Sequence, residues 1–155
     1  MARLGFTTIE SEPLRFGRDG RWYAGDEPIT HRRIAALFAR HLRRDADGRW
    51  WVELGEERAP VEIEDTPFVV TRVDATPEGG FRIELNDGTS EPLALDRLFL
   101  AGDVLYAEVK RGTTPARFLR APQAELLARV RERDGQWGLP RPDGGLQPIP
   151  TREPR

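Results

Sequence analysis

The sequence has no cysteine, a single lysine and only two histidines. Without cysteine there can be no disulfide, no thiol catalysis and no zinc or iron–sulfur site built on thiolates. Two histidines are too few for a histidine-rich metal site. No stretch approaches the run of about 20 apolar residues that a membrane-spanning helix needs, and residues 1–16 contain no apolar run of signal-peptide length. We therefore expect a cytoplasmic protein with no cofactor and no membrane partner.

Neither sign of charge dominates the chain. Its 155 residues include 24 basic and 26 acidic ones, which give a formal net charge of −2. Nucleic acids and anionic membranes select proteins with a basic surplus, so we expect neither as a partner. All basic residues except Lys110 are arginine. A GC-rich genome would account for this preference, and the alternative is that guanidinium groups serve to recognise carboxylate or phosphate.

An amphipathic helix is the clearest local pattern and is predicted at residues 30–44. Thr30 is a favourable N-cap, because its hydroxyl can accept a hydrogen bond from a first-turn N–H. Apolar side chains recur at helical spacing along one face, namely Ile34, Leu37, Phe38 and Leu42. His31 and Arg32 place positive charge in the first turn, where the helix dipole disfavours it by about 0.3–1 kcal/mol per charged group.

Short strands and turns are predicted for most of the remaining chain. Turn signals stand at Asp47-Gly48, Asn86-Asp87-Gly88, Gly102-Asp103 and Asp134-Gly135. Strand patterns cover residues 50–52, 61–63, 68–70, 81–85 and 104–110. Residues 93–100 fit either a strand or a short helix. Thr114 and Pro115 predict the start of a second helix, and residues 140–155 are expected to be irregular.

The two ends of the chain share a pattern of strand, helix, Asp-Gly turn and tryptophan. The first copy contains Trp22-Tyr23, the helix at 30–44, Asp47-Gly48 and Trp50. The second contains Tyr106, predicted helical residues 115–133, Asp134-Gly135 and Trp137. Asp47 and Asp134 are 87 residues apart, as are Trp50 and Trp137. The pattern therefore indicates an internal duplication, and the alternative is chance, because Asp-Gly turns are common.

A duplication predicts an α+β protein built from two similar halves, each with short strands, a helix and a β-hairpin or meander. We place an N-terminal α+β half at residues 15–65 and a β-rich C-terminal half with a closing helix at residues 66–150. Residues 1–14 are then a lead-in or edge segment, and residues 151–155 are a tail.

Two clusters of basic residues are candidates for binding an anion. The N-terminus of the helix at 30–44 offers N–H groups beside Arg32 and Arg33, and the alternative is a solvated surface turn. The second cluster lies around the predicted start of the second helix and consists of Lys110, Arg111, Arg117 and Arg120. Its alternative is ordinary exposed charge that pairs with Glu108 or Glu125.

Aromatic and acidic residues are less specific signals. Trp50 and Trp51 are consecutive on a predicted strand, so they cannot both point inward. One of them is a candidate for stacking on a base or covering a seam, and the alternative is that the tryptophans of the chain mostly serve the core, namely Trp22, Trp50, Trp51 and Trp137. Asp65 precedes Pro67 and suits a structural turn better than catalysis. No nucleophile–base pair, glycine-rich phosphate loop or metal-ligand spacing is visible, so we do not expect an enzyme.

The sequence resembles the bacterial DUF1285 family over about residues 15–150. In the N-terminal half the resemblance rests on the runs DGRWYAGDEPI (19–29), IAALFARHLRRDADGRWWV (34–52) and VEIEDTPFV (61–69). In the C-terminal half it rests on VKRGTTPARFLR (109–120) and on Trp137-Gly138. The chain departs from the family pattern at His31, where the helix usually has arginine, and at Leu54-Gly55, which replaces a Thr-Pro pair.

The resemblance implies a duplicated α+β fold whose C-terminal half is loosely pleckstrin-homology-like. It also implies a site for a small, nucleotide-like ligand at the junction of the two halves and a role in signalling. It implies no reaction, because none is established for the family. With the basic clusters, it leads us to predict these ligand-binding residues: His31, Arg32, Trp50, Asp65, Tyr106, Lys110, Arg117 and Arg120.

Two functions are open at this level. The first is a non-catalytic regulatory or signalling protein that holds a small anionic, nucleotide-like or phosphorylated ligand between two similar halves. The alternative is a protein–protein interaction module with no small ligand, which would use a strand edge or a tryptophan-bearing surface. An enzyme is the third choice.

Overall fold

The protein is described by a computed structural model over residues 13–154. The chain divides into two compact units, with the boundary between Pro67 and Phe68. The described residues form sixteen short strands, two α-helices and one 3₁₀ helix. Strands and helices belong to the same units, so the α+β fold class expected from the sequence is confirmed.

The first unit is a six-stranded sheet with one helix. Its strands are β1 (Leu14–Phe16), β2 (Trp22–Ala24), β3 (Glu27–Pro28), β4 (Leu42–Arg44), β5 (Trp50–Leu54) and β6 (Glu57–Ile63). Their order in the sheet is β3-β2-β1-β6-β5-β4, and β1 and β6 are parallel while the other neighbours are antiparallel. Leu14, which the sequence had assigned to a lead-in or edge segment at residues 1–14, therefore belongs to a strand inside the sheet, and residues 1–12 of that segment lie outside the described residues.

The core of the first unit is aromatic. Trp22 is fully buried between Phe16, at a ring-centroid distance of 5.0 Å, and Phe38, at 5.6 Å in an edge-on arrangement. Such tilted and edge-on pairs suit the quadrupoles of the rings. Strand alternation sends Leu14 and Phe16 to the same buried face. The core position expected of the tryptophans is confirmed for Trp22 and was wrong for Trp137 of the second unit, whose side chain is 65% exposed.

The helix of the first unit, α1 (Arg32–Arg40), is shorter than the sequence indicated. Its N-cap is His31, whose side chain makes no capping hydrogen bond, so the prediction of Thr30 as the cap was wrong. Leu42 had been assigned to the helical stripe, but it belongs to β4 and pairs with Val52 of β5. Both assignments bury Leu42, which is why apolar spacing alone could not distinguish them.

The second unit contains a seven-stranded sheet. Its strands are β7 (Phe68–Ala75), β8 (Phe81–Leu85), β9 (Ser90–Pro92), β10 (Leu98–Ala101), β11 (Val104–Val109), β12 (Thr114–Phe118) and β16 (Thr151–Arg152). They are ordered β16-β10-β11-β12-β7-β8-β9. The 3₁₀ helix, Leu95–Arg97, precedes β10 directly, so residues 93–100 contain both structures that the sequence left open.

The second α-helix, α2 (Arg120–Leu127), packs against β7. The prediction that a helix starts at Thr114 and Pro115 was wrong, because these residues open β12. Strand alternation there buries Ala116 and Phe118 on one face, and this period of two outweighs the helix-start signal. A three-stranded sheet follows, formed by β13 (Arg131–Arg133), β14 (Gln136–Pro140) and β15 (Leu146–Gln147). Thus β15 and β16 lie where the sequence indicated irregular chain.

Each α-helix is followed by a β-hairpin, and the two helix–hairpin elements share details. Arg43 and Arg131 each donate from Nη1 to the carbonyl three residues back and to the preceding carbonyl. The distances are 3.1 and 2.9 Å for Arg43 and 3.2 and 3.1 Å for Arg131. Trp50 and Trp137 each pair across their hairpin with the residue that follows this arginine. The two elements therefore match in register.

Candidate functional site

A cleft of about 690 Å³ opens in the second unit between β9, the 3₁₀ helix and the turn from β11 to β12. We call it the β9–β11 cleft. Thr89 and Ser90 are among the residues that line it. Its charged lining residues are Glu91, Asp96, Arg97, Glu108, Lys110 and Arg111. Acidic and basic groups are therefore equal in number along its wall.

The turn that forms one wall of the cleft has an unusual backbone. Lys110 and Arg111 adopt positive φ values of 53° and 62°, and Gly112 follows at 77°. Positive φ in residues other than glycine is uncommon and costs on the order of 1–3 kcal/mol per residue. The turn is held by Thr113, whose N–H donates to the Val109 carbonyl at 3.0 Å and whose hydroxyl donates to the Lys110 carbonyl at 2.7 Å. Residues in such conformations cluster at functional sites.

Lys110 is committed to contacts within the protein. Its ammonium donates to Asp87 Oδ2 at 2.6 Å and to Thr89 Oγ1 at 3.0 Å, and its backbone N–H donates to Glu91 Oε1 at 3.1 Å. Burial acts to raise the pKa of Asp87, but the hydrogen bonds from Lys110 and Thr89 outweigh it and hold that pKa below its usual value. Lys110 therefore connects the turn to Asp87, Thr89 and Glu91, and its charge is matched by Asp87.

Arg97 extends across the turn and depends on a glycine there. A Cβ atom added to Gly112 would lie 1.3 Å from Arg97 Nη1, so any side chain at this position would displace the guanidinium group. Arg97 was not singled out from the sequence, because it lies in the stretch whose structure was ambiguous. The turn chemistry of Arg111-Gly112 is the signal that could have indicated a close approach there.

Four residues predicted to bind a ligand lie in the first unit. His31 and Arg32 are exposed at the start of α1. Trp50 is half-buried on β5, and its ring centroid is 5.8 Å from the guanidinium carbon of Arg44. Asp65 is half-buried just beyond β6. The basic first turn of α1 is therefore present as the sequence indicated.

The other tryptophan of β5 has a defined structural role. Trp51 donates from Nε1 to Asp45 Oδ2 at 2.8 Å, and the guanidinium of Arg58 lies 3.6 Å from its ring centroid. The hydrogen bond from Trp51 lowers the pKa of Asp45. Asp45 also accepts hydrogen bonds from two backbone N–H groups of its turn. Of the two tryptophans on this strand, Trp50 is therefore the remaining candidate for stacking on a ligand.

The remaining four predicted residues lie in the second unit and do not form one cluster. Tyr106 and Arg117 face each other across β11 and β12, and Arg117 Nη1 donates to the Tyr106 hydroxyl at 3.4 Å. Arg120 is exposed and is the first residue of α2. Lys110 lies in the turn before β12. The expectation that these basic residues surround one helix start was wrong, because only Arg120 is at the start of a helix.

The described part of the chain offers neither a cluster of metal ligands nor a membrane-spanning helix. Residues 13–154 contain no group of three or more His, Cys, Asp or Glu side chains placed to hold a metal ion. Neither described α-helix has the length and apolar character needed to span a bilayer.

The fold defines a mixed α+β protein with short strands and two helix–hairpin elements. No protein-family model and no curated protein matches the sequence. Solved structures do match it. A DUF1285 family protein from Silicibacter pomeroyi DSS-3 superposes with a TM-score of 0.69 at 22% identity, covering 89% of this chain and 79% of that chain. A DUF1285 family protein from Shewanella baltica OS155 gives a TM-score of 0.60 at 20% identity, covering 77% and 93%. The resemblance seen in the sequence is thus confirmed for the fold, which is that of DUF1285 proteins.

Proposed function

We propose that the protein is a non-catalytic, regulatory or signalling protein that binds a small phosphorylated or nucleotide-like ligand in the β9–β11 cleft. The observation that carries this proposal is the combination of Arg97 and Arg111 with carboxylates in one cleft of about 690 Å³. That volume lies in the range of roughly 300–1,000 Å³ that is usual for small-molecule sites.

The charges of the cleft favour a ligand with both an anionic group and hydroxyl groups. Guanidinium groups bind phosphate through two parallel N–H donors, and carboxylates accept hydrogen bonds from hydroxyls. Arg97 and Arg111 would serve the phosphate, and Glu91 and Asp96 would serve sugar or polyol hydroxyls. None of the described residues that line the cleft is aromatic, so recognition there would depend on phosphate and hydroxyl groups rather than on a stacked base.

Asp87, beside the cleft, is not suited to act as a general acid or base near neutral pH. A general acid or base that works near neutral pH needs a carboxyl pKa raised towards 7. The pKa of Asp87, whose side chain is the most buried carboxylate near the cleft, is lowered instead. Asp87 therefore stays ionised and serves as the partner of Lys110.

The test is a thermal-shift screen with nucleotides, nucleotide sugars and sugar phosphates on the wild type and on Arg97→Ala and Arg111→Ala. A ligand at about 100 times its Kd stabilises the folded state by about 2.7 kcal/mol, so we expect a rise in Tm of several degrees. Both variants should lose that rise. Arg72→Ala is the matched control, since it removes an exposed arginine of β7 that pairs with Asp74 instead of lining the cleft.

Two further variants separate this cleft from the sites predicted by the sequence. Arg32→Ala and Arg120→Ala change the first turns of α1 and α2, and we expect the ligand-induced rise in Tm to persist in both. Loss of the rise in these variants but not in Arg111→Ala would place binding at a helix start instead. A panel in which no compound shifts the Tm of the wild type would contradict the proposal of a small ligand.

We also propose that the two halves of the chain arose by duplication. The matched hydrogen bonds of Arg43 and Arg131 and the matched positions of Trp50 and Trp137 support this proposal. A pleckstrin-homology-like description of the second unit is supported by the run of strands β7–β12 that leads into α2. A profile comparison of residues 32–54 with residues 120–140 across homologues would test the duplication.

An alternative function is a protein–protein interaction module, and Trp137 supports it. This side chain is 65% exposed on β14, beside β13, whose three residues are all exposed. Large exposed aromatic side chains are enriched at the centres of interfaces. This alternative predicts a partner complex that Trp137→Ser abolishes and that Trp50→Ser leaves intact, measured by binding of the purified partner.

A further inference from the structure

The strand β16 is a short edge strand of the seven-stranded sheet, next to β10. It has two residues, and it pairs in parallel with β10, so that Thr151 lies opposite Leu100 and Arg152 opposite Ala101. The Leu100 N–H donates to the Pro150 carbonyl at 2.8 Å. The sequence indicated an irregular tail here, so this edge pairing is a finding of the tertiary structure alone.

The side chain of Arg152 anchors the strand. Its guanidinium carbon lies 3.9 Å from the ring centroid of Phe99, and Nη1 lies 3.7 Å from Glu108 Oε1. Phe99 is itself stacked on Tyr106, with ring centroids 5.2 Å apart and an interplanar angle of 10°. An aromatic face and a carboxylate together form a receptor for a planar cation.

The contacts that hold β16 against β10 are exposed to solvent and weak. Both Thr151 and Arg152 are exposed, and both side chains of the Arg152–Glu108 ion pair are accessible to solvent. Exposed ion pairs contribute little to stability. Pro148, Pro150 and Pro154 have no N–H to donate, which limits the number of main-chain hydrogen bonds that the segment can form with β10. Phe99, by contrast, is buried and is stacked on Tyr106 of β11.

We propose that the edge of β10 is a docking site for an extended peptide that carries an arginine, and that residues 148–154 are its internal, displaceable occupant. The peptide would add to the sheet as a parallel strand, and its arginine would take the place of Arg152 between Phe99 and Glu108. Main-chain hydrogen bonds supply affinity in this mode of recognition, and the side-chain pocket supplies specificity.

The chain's own contacts define the chemistry of this partner. A planar guanidinium stacks on a ring and meets a carboxylate edge-on, whereas a lysine ammonium cannot do both equally well. The internal segment competes at the effective concentration of a short tether, on the order of millimolar. A free peptide therefore binds the wild type weakly, and it binds more tightly when the internal segment is released. This proposal does not require the ligand of the β9–β11 cleft.

The test uses the full chain and a fluorescent peptide with the sequence of residues 147–154, QPIPTREP. Arg152→Glu places a carboxylate next to Glu108 and should release the internal segment. We expect fluorescence anisotropy to show at least about tenfold tighter binding to Arg152→Glu than to the wild type, because the tethered competitor is removed. The control variant Arg72→Glu makes the same change of charge on β7 and should bind the peptide like the wild type.

A second peptide, in which the arginine is replaced by alanine, should bind neither protein detectably. Equal binding of the two peptides, or equal binding of the first peptide to Arg152→Glu and wild type, would overturn the proposal. Hydrogen exchange of the wild type is a second test, and it does not depend on whether a variant folds. The Leu100 amide should exchange faster than the amides of β11, which lies between two strands, and equal protection would contradict a displaceable β16.

Discussion

Lysine and arginine have different tasks in this molecule. The single lysine, Lys110, acts as a compact charge and directs its ammonium at Asp87 and Thr89. Several arginines instead place planar guanidinium groups over aromatic rings, at 4.2 Å for Arg15 on Tyr23 and 3.6 Å for Arg58 on Trp51. Lys110 also lies over a ring, with its Nζ 4.9 Å from the centroid of Phe68, so contact between a cation and an aromatic face is not confined to arginine. These arginine side chains therefore have a structural use, whatever the origin of the arginine preference.

The pH dependence of stability should identify the role of Asp87. Its pKa in the folded protein is below the usual value of 3.8, so its contribution is complete above that value and is lost as the pH falls through the folded pKa. Asp87→Asn should lower the free energy of unfolding by about 1–3 kcal/mol at pH 7. The difference between wild type and variant should shrink below about pH 4. Urea unfolding between pH 3 and 7 measures both quantities.

The matched control for this experiment is Asp74→Asn. Asp74 is exposed and forms a surface ion pair with Arg72, so its loss should change the free energy of unfolding by less than about 1 kcal/mol. A difference between wild type and Asp87→Asn that stays constant down to pH 3 would show that the ionised carboxylate is not what stabilises the fold.

The two helix–hairpin elements differ at one position for a physical reason. When Arg43 is aligned with Arg131, Trp51 corresponds to Gly138. Trp51 has its own hydrogen bond to Asp45, whereas the backbone of Gln147 approaches Gly138 closely. A Cβ added to Gly138 would lie 2.5 Å from the Gln147 carbonyl oxygen. The glycine therefore allows the backbone of β15 to lie close against β14, whereas in the first unit β6 takes the corresponding place beside β5, with Pro60 opposite Trp51.

Gly138→Ala should consequently disrupt the β14–β15 pairing. The clash involves backbone, which cannot rotate away, so we expect a loss of about 1–3 kcal/mol in the free energy of unfolding. Hydrogen exchange should also become faster at Leu146 and Gln147. The control is Gly80→Ala, whose added Cβ meets side-chain atoms no closer than 3.5 Å and should be tolerated within about 1 kcal/mol. Equal stability of the two variants would contradict the close approach.

At the scale of the whole molecule, the fold and the net charge restrict the classes of function but do not identify one. The DUF1285 fold identifies a structural class, and a fold by itself does not imply an activity. The net charge of −2 is informative because binding to nucleic acid depends on counterion release by a basic surface. The 24 basic residues of this chain are outnumbered by its 26 acidic residues.

The protein should therefore not bind double-stranded DNA or RNA at physiological salt. We expect no shift in fluorescence anisotropy of a labelled 20-base-pair duplex at about 150 mM salt and protein concentrations up to about 10 µM. A basic DNA-binding domain titrated in the same buffer is the positive control. Saturable binding below that concentration would show that the basic residues form a continuous patch despite the balanced composition.

The sequence was sufficient for features that depend on neighbouring residues. Turns at Asp47-Gly48 and Asp134-Gly135 form as predicted, because glycine adopts the positive φ of about 80° found at Gly48 and Gly135 without steric cost. The predicted strand at residues 104–110 forms as Val104–Val109. Its side chains alternate between buried and half-buried, and this alternation can be recognised in the sequence itself. The end of α1 was misjudged, because Leu42 is buried by either structure.

Only the tertiary structure decided which distant residues meet. By itself the sequence determined an α+β chain of short strands with balanced charge, no cysteine chemistry and a DUF1285-like pattern. Folding decided that Lys110 pairs with Asp87, that Arg97 lies over Gly112 and that β16 occupies the edge of β10. Local patterns arise from backbone conformation and side-chain period, which act over a few residues. Long-range partners are selected by sheet order and packing, which no short window of sequence contains.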